Sequence, residues 1–353
     1  MNNSKSRNGG KALIVSPYLD HLGGGERYML TCAQALETLG YEIFIGWDNL
    51  ESIKGISKFL AIDLKNPVLD PKIKSLYHSA GPLEMFMATR SYDVVVYLSD
   101  GSIPMLGGRT NLLHMQVPFH NVDGRSWKNK LKLKTIKHII VNSNFTKSIV
   151  DQEYGINSSV LYPPVPQNAK IQDKEKIILS VGRFEPSLNV KKQDILIEAF
   201  KKLSQDLPDW KLILVGGSVE AFWIEKLRSM ASGYNIELLP NTEYEKLIDL
   251  YGRASIYWHA AGYAVDQAKS PELVEHFGIS TVEAISSHLI PLVYKAGGQI
   301  EIVKNPDLLW ESEDELIIKT KNLTTKNFKD YEGFLDINGF TETAFTSSLS
   351  QLL

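Results

Sequence analysis

Short β-rich runs alternate with amphipathic stretches along the whole chain, and nothing else in the sequence narrows its fold as far. Strand and helix in alternation call for parallel sheets whose crossover helices cover both faces. In the first half the expected strands are Ala12 to Ser16, Glu42 to Trp47, Asp93 to Leu98, Asn111 to Gln116 and His138 to Asn142. Between the first two, Glu26 to Leu39 places Tyr28, Leu30, Ala33, Ala35, Leu36 and Leu39 mostly at helical spacing and stops before Gly40, a residue suited to a left-handed cap. The pattern breaks at Tyr162-Pro163-Pro164-Val165-Pro166, because such a proline cluster continues neither a helix nor a central strand.

A second series then begins, with strands Lys176 to Val181, Lys211 to Val215, Ile236 to Leu239, Ser255 to Trp258 and Ile290 to Tyr294. Helices are expected at about Val190 to Leu203, Val219 to Ala231, Glu243 to Tyr251 and Ile279 to Ser287. The fold class is therefore α/β, with two doubly wound Rossmann-like domains, 1–165 and 166–335, and a C-terminal segment, 336–353, expected to pack back on the first. Two such domains in series are expected to face each other across a cleft, with function at the carboxyl ends of the strands: residues 16–27 and 112–120 on one side, 182–193, 216–218 and 259–283 on the other.

Length and composition agree with this and exclude other classes. At 353 residues with 43% hydrophobic and 22% charged side chains, the chain exceeds one usual domain and is no disordered polymer. No apolar run approaches the roughly 18–20 residues of a membrane span, the first residues lack a signal-peptide core, and the single cysteine, Cys32, excludes an internal disulfide framework. A cytoplasmic protein is expected. Residues 1–165 carry 18 Lys and Arg against 14 Asp and Glu, and the remainder 20 against 27, so neither half has the strongly basic balance of a nucleic-acid binder. One local exception is 125–137, RSWKNKLKLKTIK, with six cations, no acid and interleaved Trp127, Leu131, Leu133 and Ile136; it reads as a solvated basic face or as a contact with an anionic membrane surface.

Several constellations carry chemistry. Gly23-Gly24-Gly25-Glu26 follows the first strand and opens a helix, where backbone N–H groups and the helix dipole suit an anion, although on spacing alone it serves equally as a tight turn. It is neither G-x-G-x-x-G nor a P-loop. Ser180-Val181-Gly182-Arg183-Phe184 leaves a strand with glycine and arginine, and Lys191 and Lys192 follow; these cations suit a diphosphate, or for either lysine a solvated first helical turn. In Glu275-His276-Phe277-Gly278-Ile279-Ser280-Thr281-Val282-Glu283, Gly278 marks a loop-to-helix junction, with Glu275 before it and Glu283 one turn in, where either a bound polyol or the helix dipole accounts for the carboxylate. His114 and His259 each stand near the carboxyl end of an apolar strand, a place that more often holds a core histidine than a catalytic one. There is no H-E-x-x-H, C-x-x-C, G-x-S-x-G or D-x-D, which leaves zinc hydrolysis, a serine nucleophile and a paired-aspartate metal site without support.

Taken in order, Gly23 to Arg27, Ser180 to Phe184, Lys191 to Phe200 and Glu275 to Ala284 resemble glycosyltransferase family 4, the retaining GT-B enzymes that use nucleotide-sugar donors. Glu275 to Glu283 is similar to its E-x7-E element, and Gly297-Gly298-Gln299-Ile300-Glu301-Ile302-Val303 to its following G-G segment. The resemblance implies a nucleotide-sugar donor, GDP- or UDP-linked, a glycan or lipid-linked saccharide acceptor, and no metal or other cofactor. It implies that Arg183 and Lys191, with Lys192 beside them, clamp the diphosphate, that Glu275 holds the donor hexose and that Glu283 binds the ribose. Backbone N–H groups of Phe277, Gly278 and Ile279, in one loop with His276, would face the phosphates. His114 would lie near the donor sugar, Gly23 and Gly24 would face the phosphates and Gly25 line the donor from the first domain, and Gly217 would line it from the second. Leu188 departs from the pattern, standing where many relatives place a lysine. A GT-B epimerase or phosphorylase, or a silent sugar-nucleotide binder, would share most of these residues.

Overall fold

The computed structural model describes residues 9–19, 23–166, 170–187, 190–218 and 220–353; Leu188 and the expected helix start at Val219 fall outside them. The chain divides into two compact units, Met1–Pro164 with Glu342–Leu353, and Val165–Thr341. Residues 336–341 thus count with the second unit, and the chain returns to the first at Glu342.

The first unit runs β1 Lys11–Val15, α1 Gly24–Thr38, β2 Glu42–Ile45, α2 Leu50–Phe59, β3 Val68–Leu69, α3 Pro71–Ser79, α4 Pro82–Thr89, β4 Val94–Ser99, β5 Thr110–Met115, α5 Trp127–Leu133, β6 His138–Val141, α6 Asn144–Tyr154 and β7 Ser159–Val160. Its seven strands lie in the order β3-β2-β1-β4-β5-β6-β7, every adjacent pair parallel. β4 and β5 are buried along their whole length, as strands covered on both faces must be. One apolar layer gathers Tyr28, Met29, Leu30 and Leu36 of α1 under β1 and β4, and the opposite layer gathers Ile73, Met85, Val150 and Tyr154.

The second unit runs β8 Glu175–Val181, α7 Gln193–Leu203, β9 Lys211–Gly216, α8 Ala221–Ala231, β10 Ile236–Pro240, α9 Tyr244–Arg253, β11 Ala254–His259, α10 Ile279–Ser286, β12 Ile290–Tyr294, α11 Gln299–Ile302, β13 Leu309–Trp310 and α12 Glu313–Leu323. Its parallel order is β10-β9-β8-β11-β12-β13. The last helix, α13 Glu342–Ser350, belongs to the first unit, where Phe345 and Leu349 are buried in the α1 layer and Phe345 meets Tyr28 edge to face at 5.5 Å. Both sheets reverse strand direction of growth beside their first strand, between β1 and β4 and between β8 and β11, and such switch points open a crevice at the carboxyl ends of the strands.

Two helix starts differ from the sequence reading. α1 begins at Gly24, so Gly24 and Gly25 are its first turn rather than a loop, with Gly23 as N-cap. α7 begins at Gln193, three residues later than expected, because Lys192 takes a left-handed conformation (φ 53°) that stops the helix from extending back over it. Lys191 and Lys192 are therefore not in a first helical turn.

Candidate functional site

The second unit assembles its charged residues around the β8/β11 switch point. Arg183, exposed, stands just past β8, and His259 ends β11. The turn after β8 is tight: Gly182 N–H donates to Val215 O (2.9 Å), Phe184 N–H donates to Gly217 O (2.9 Å), and a Cβ on Gly216 would lie 2.0 Å from Gly182 O. Buried Gln193 completes it, its amide donating to the carbonyls of Gly182 (3.2 Å) and Arg183 (3.0 Å). Gly217 thus serves the turn through its carbonyl.

Lys191 is placed by that turn, its stem against Gly182, where a Cβ would approach the lysine chain to 2.9 Å. Its Nζ donates to Glu275 Oε2. His259, 2% exposed, donates Nε2–H to the same oxygen at 3.0 Å, and because Ala261 N–H donates to His259 Nδ1 (3.3 Å), the proton is fixed on Nε2. Burial alone would push the Glu275 carboxyl up, but the Lys191 charge and the His259 hydrogen bond outweigh it and hold the group well below the usual carboxylate range. Burial keeps His259 and His276 below the ordinary imidazole value, hence neutral near pH 7. The sequence placed Lys191 and Glu275 in one site; it ranked His259 no higher than a core histidine, and only the tertiary structure turns it toward Glu275.

The loop that carries Glu275 rests on the G-G segment. Gly298 N–H donates to Glu275 O (2.7 Å), and Cβ atoms on Gly297 and Gly298 would come within 2.2 Å of the carbonyls of Glu275 and His276. Only glycine admits this approach. Gly278 caps α10 with φ 117° and its carbonyl takes the amides of Thr281 (3.0 Å) and Val282 (3.2 Å), which leaves those of Ile279 and Ser280 with no carbonyl in the helix to bond, an anion-suited terminus. One turn in, half-buried Glu283 accepts from Tyr251 Oη–H (3.0 Å), so its carboxylate is oriented by the protein itself. Gln299, fully buried, makes no hydrogen bond from either amide atom within 3.5 Å, nor does His276 Nε2. These buried polar atoms beside the loop went unnoticed in the sequence, since no local spacing signals them.

The first unit's strand ends differ in kind. His114, fully buried, stacks on Tyr28 (3.8 Å between centroids, 6° between planes) and donates Nδ1–H to Ile140 O at 3.2 Å. Burial lowers its pKa to about 4, so at neutral pH Nε2 is a bare lone pair, and it makes no hydrogen bond within 3.5 Å. Gln116 Oε1 and Asn142 Oδ1 are likewise buried without one, while Asn142 Nδ2 donates to Gln116 O (3.1 Å). Gly25 sits against Gln116: a Cβ there would be 3.1 Å from Oε1. At Gly23 the neighbour is Glu26, whose carboxylate folds back to within 2.7 Å of a Cβ position, placing the helix's own acid at its positive end.

Residues 164–324 match the family model described as glycosyl transferases group 1. The second domain belongs to that family. The group 1 domain holds Arg183, Lys191, His259, Glu275 and Glu283 together, in keeping with the family 4 resemblance of the motifs. Among curated proteins the chain is 27% identical over 197 residues to the GDP-Man:Man(3)GlcNAc(2)-PP-Dol alpha-1,2-mannosyltransferase of Dictyostelium discoideum, covering 48% of this chain and 36% of that one. It is also 27% identical over 230 residues to the O-antigen chain mannosyltransferase RfbU of Salmonella typhimurium, covering 61% and 60%. The matches thus span about a third to three fifths of these relatives' lengths. Among solved structures, WaaG, a glycosyltransferase involved in lipopolysaccharide biosynthesis, aligns with a TM-score of 0.64 at 14% identity over 95% of this chain and 98% of its own. The fold is GT-B, two doubly wound α/β domains in series.

Proposed function

We propose that the protein is a retaining glycosyltransferase that moves a hexose from a nucleotide-sugar donor to a glycan or lipid-linked saccharide acceptor. The observation that carries the reading is Glu275, an ionised carboxylate fixed by Lys191 and His259, inside a group 1 domain. In this reading Arg183 and the first amides of α10 hold the diphosphate, Glu283 takes the ribose, and Glu275 takes hydroxyls of the hexose. GDP-mannose is the first donor to try, because the relatives' names specify mannose and, in one case, GDP.

Transfer proceeds on one face of the sugar: the bond from the anomeric carbon to the diphosphate oxygen breaks, a bond to the acceptor oxygen forms, and the acceptor proton passes to the departing diphosphate. The charge that develops on the leaving group is met by fixed cations and backbone dipoles, a term worth several kcal/mol in preorganised sites. The residue set supplies this without a metal, so excess EDTA should leave transfer intact. A cytoplasmic enzyme working at the inner membrane face fits a lipid-linked acceptor; no helix among the described residues is long and apolar enough to cross a membrane.

The experiment is donor turnover with GDP- and UDP-linked hexoses, with and without a saccharide acceptor, the product's anomeric configuration being read by NMR. Acceptor-dependent turnover with retention is expected. Donor turnover without acceptor would indicate an epimerase, phosphate-dependent turnover a phosphorylase, and tight binding with no turnover a silent binder.

A further inference from the structure

The irregular apolar pattern of 125–137 resolves in the structure into two faces. Leu133 and Ile136 turn inward onto the layer that contains Met85, Val150 and Tyr154, while Trp127 (72% exposed) and Leu131 (53%) stand outward one turn apart on α5. Around them Arg125, Lys128, Lys130 and Lys134 are exposed. Arg125 Nε donates to Gln152 O of α6 (3.0 Å), and the acids of α6, Asp151 and Glu153, are engaged by Lys147 and His120. The lysines of α5 keep no acidic partner among the described residues.

A second helix, α4, carries the same feature. α4 carries Leu83 (68% exposed) and Met87 (55%), also one turn apart, with exposed Arg90 at its end. Met85 and Ala88 of α4 pack on the same layer as Leu133 and Ile136. Residues 106 and 107 stitch the two helices together: Gly107 N–H donates to Thr89 Oγ1 (2.8 Å), and Leu106 N–H donates to Thr135 Oγ1 (3.2 Å). Large exposed side chains elsewhere, such as Phe222 and Ile318, have no such exposed apolar neighbour one turn away on the same helix. Each of the two helices, whose inner faces share one layer, thus turns an exposed apolar pair outward, and clustered exposed apolar residues mark binding surfaces or liabilities.

We propose that the outer faces of α4 and α5 form a docking surface for an anionic lipid bilayer. The charge decides the occupant: long lysine stems can lie along the apolar residues with their ammonium groups at the headgroup level, tryptophan suits the interface, and cations without acids suit an anionic leaflet. Glu84 is the one acid on α4. The proposal extends the reading of a lipid-linked acceptor to the membrane that holds it.

Sedimentation of the full chain with vesicles tests it, comparing phosphatidylglycerol mixed into phosphatidylcholine with phosphatidylcholine alone. Each cation near an anionic surface contributes about fivefold in partition. Lys128→Glu/Lys130→Glu/Lys134→Glu should therefore lose on the order of a hundredfold at low salt. Trp127→Ser/Leu131→Ser should bind at low salt and release at salt concentrations that the wild type withstands, and Leu83→Ser/Met87→Ser should do the same to a smaller degree. All seven side chains lie outside the core, so these variants should fold. Equal recovery on both vesicle types overturns the proposal, as does wild-type binding by the α4 variant. Polyphosphate binding of vesicle-like strength, untouched by the apolar substitutions, would show a plain polyanion site and overturn it too. No donor or acceptor is present, so failure here leaves the transferase reading standing, and loss of transfer with vesicle binding intact strikes that reading alone.

Discussion

The two units bring the same topology to their ligand edges and furnish it oppositely. At the second unit's switch point the polar groups are charged and paired with one another: Lys191 and His259 both hold Glu275, and Tyr251 holds Glu283. At the first unit's strand ends the buried amide and imidazole groups are neutral: His114 Nε2, Gln116 Oε1 and Asn142 Oδ1 make no hydrogen bond within 3.5 Å, with the Gln116 side chain near enough to His114 to favour its protonated ring. A set of buried acceptors suits hydroxyl donors. That difference predicts a division of labour: the second unit takes the diphosphate and, through Glu275, the hexose, and the first unit's neutral acceptors take further hydroxyls of the donor sugar or the acceptor.

The strongest way to break that comparison is to remove the charge pairing. Lys191→Met leaves Glu275 buried with only His259, and removing one partner of a buried pair typically costs 3–5 kcal/mol. Glu275→Gln in the same chain should restore most of that loss, because the uncompensated carboxylate is gone. Urea unfolding followed by tryptophan fluorescence measures both; a Lys191→Met variant as stable as wild type would mean that the pair is solvated and organises nothing.

A second test uses pH on the first unit. Unfolded, an imidazole takes its proton near 6.5; in place, burial lowers the His114 value to about 4. Between those values the unfolded chain holds a proton that the folded chain refuses, so stability falls as the pH drops from 6.5 to 4 and is flat on either side. The gap corresponds to about 3 kcal/mol. His114→Gln should remove that much of the acid slope, whatever its baseline stability, and an unchanged slope would show His114 protonating freely.

Third, Arg183→Ala and Glu283→Ala should each weaken nucleoside diphosphate binding by roughly 10- to 150-fold, the worth of a charged hydrogen bond. Glu275→Ala should leave that affinity nearly intact while cutting transfer steeply, because its contact is with the hexose. Calorimetric titration beside transfer rates separates the three; a Glu275→Ala variant that loses nucleotide as Arg183→Ala does would move the hexose pocket elsewhere.

What the sequence revealed follows from how its signals arise. β8, β11 and α10 were legible because buried parallel strands and a glycine-opened helix leave continuous apolar runs and periodic stripes. β3, β7 and β13, two residues each, carry no period and were invisible. Between residues 48 and 92 the helices are announced by caps rather than by apolar stripes: Asn49 accepts from Glu51 and Ser52, Asp70 accepts from Ile73, and Pro71 and Pro82 sit at first helical positions. Lys191 and Glu275 were each named from their own motif, but their pairing was not legible, since Lys191 reaches Glu275 across 84 positions of chain. Gln116, Gln193 and Gln299 escaped notice for the same reason: long-range packing buries them.

The smallest expected effect sharpens the comparison furthest. If the first unit reads hydroxyls through neutral acceptors, each contact contributes the 0.5–1.5 kcal/mol of a neutral hydrogen bond rather than the 1.5–3 of a charged one. Gln116→Met keeps the side chain's length against Gly25 and removes the amide, while leaving the backbone carbonyl that Asn142 holds. It should weaken use of the whole sugar donor or the acceptor by roughly 2- to 12-fold and leave free nucleoside diphosphate binding untouched. Initial rates with donor and acceptor varied separately, beside nucleotide titration, decide it. A loss of a hundredfold or more, or a loss of nucleotide affinity, would place a charged group of the donor at the first unit's edge and end the division of labour drawn above.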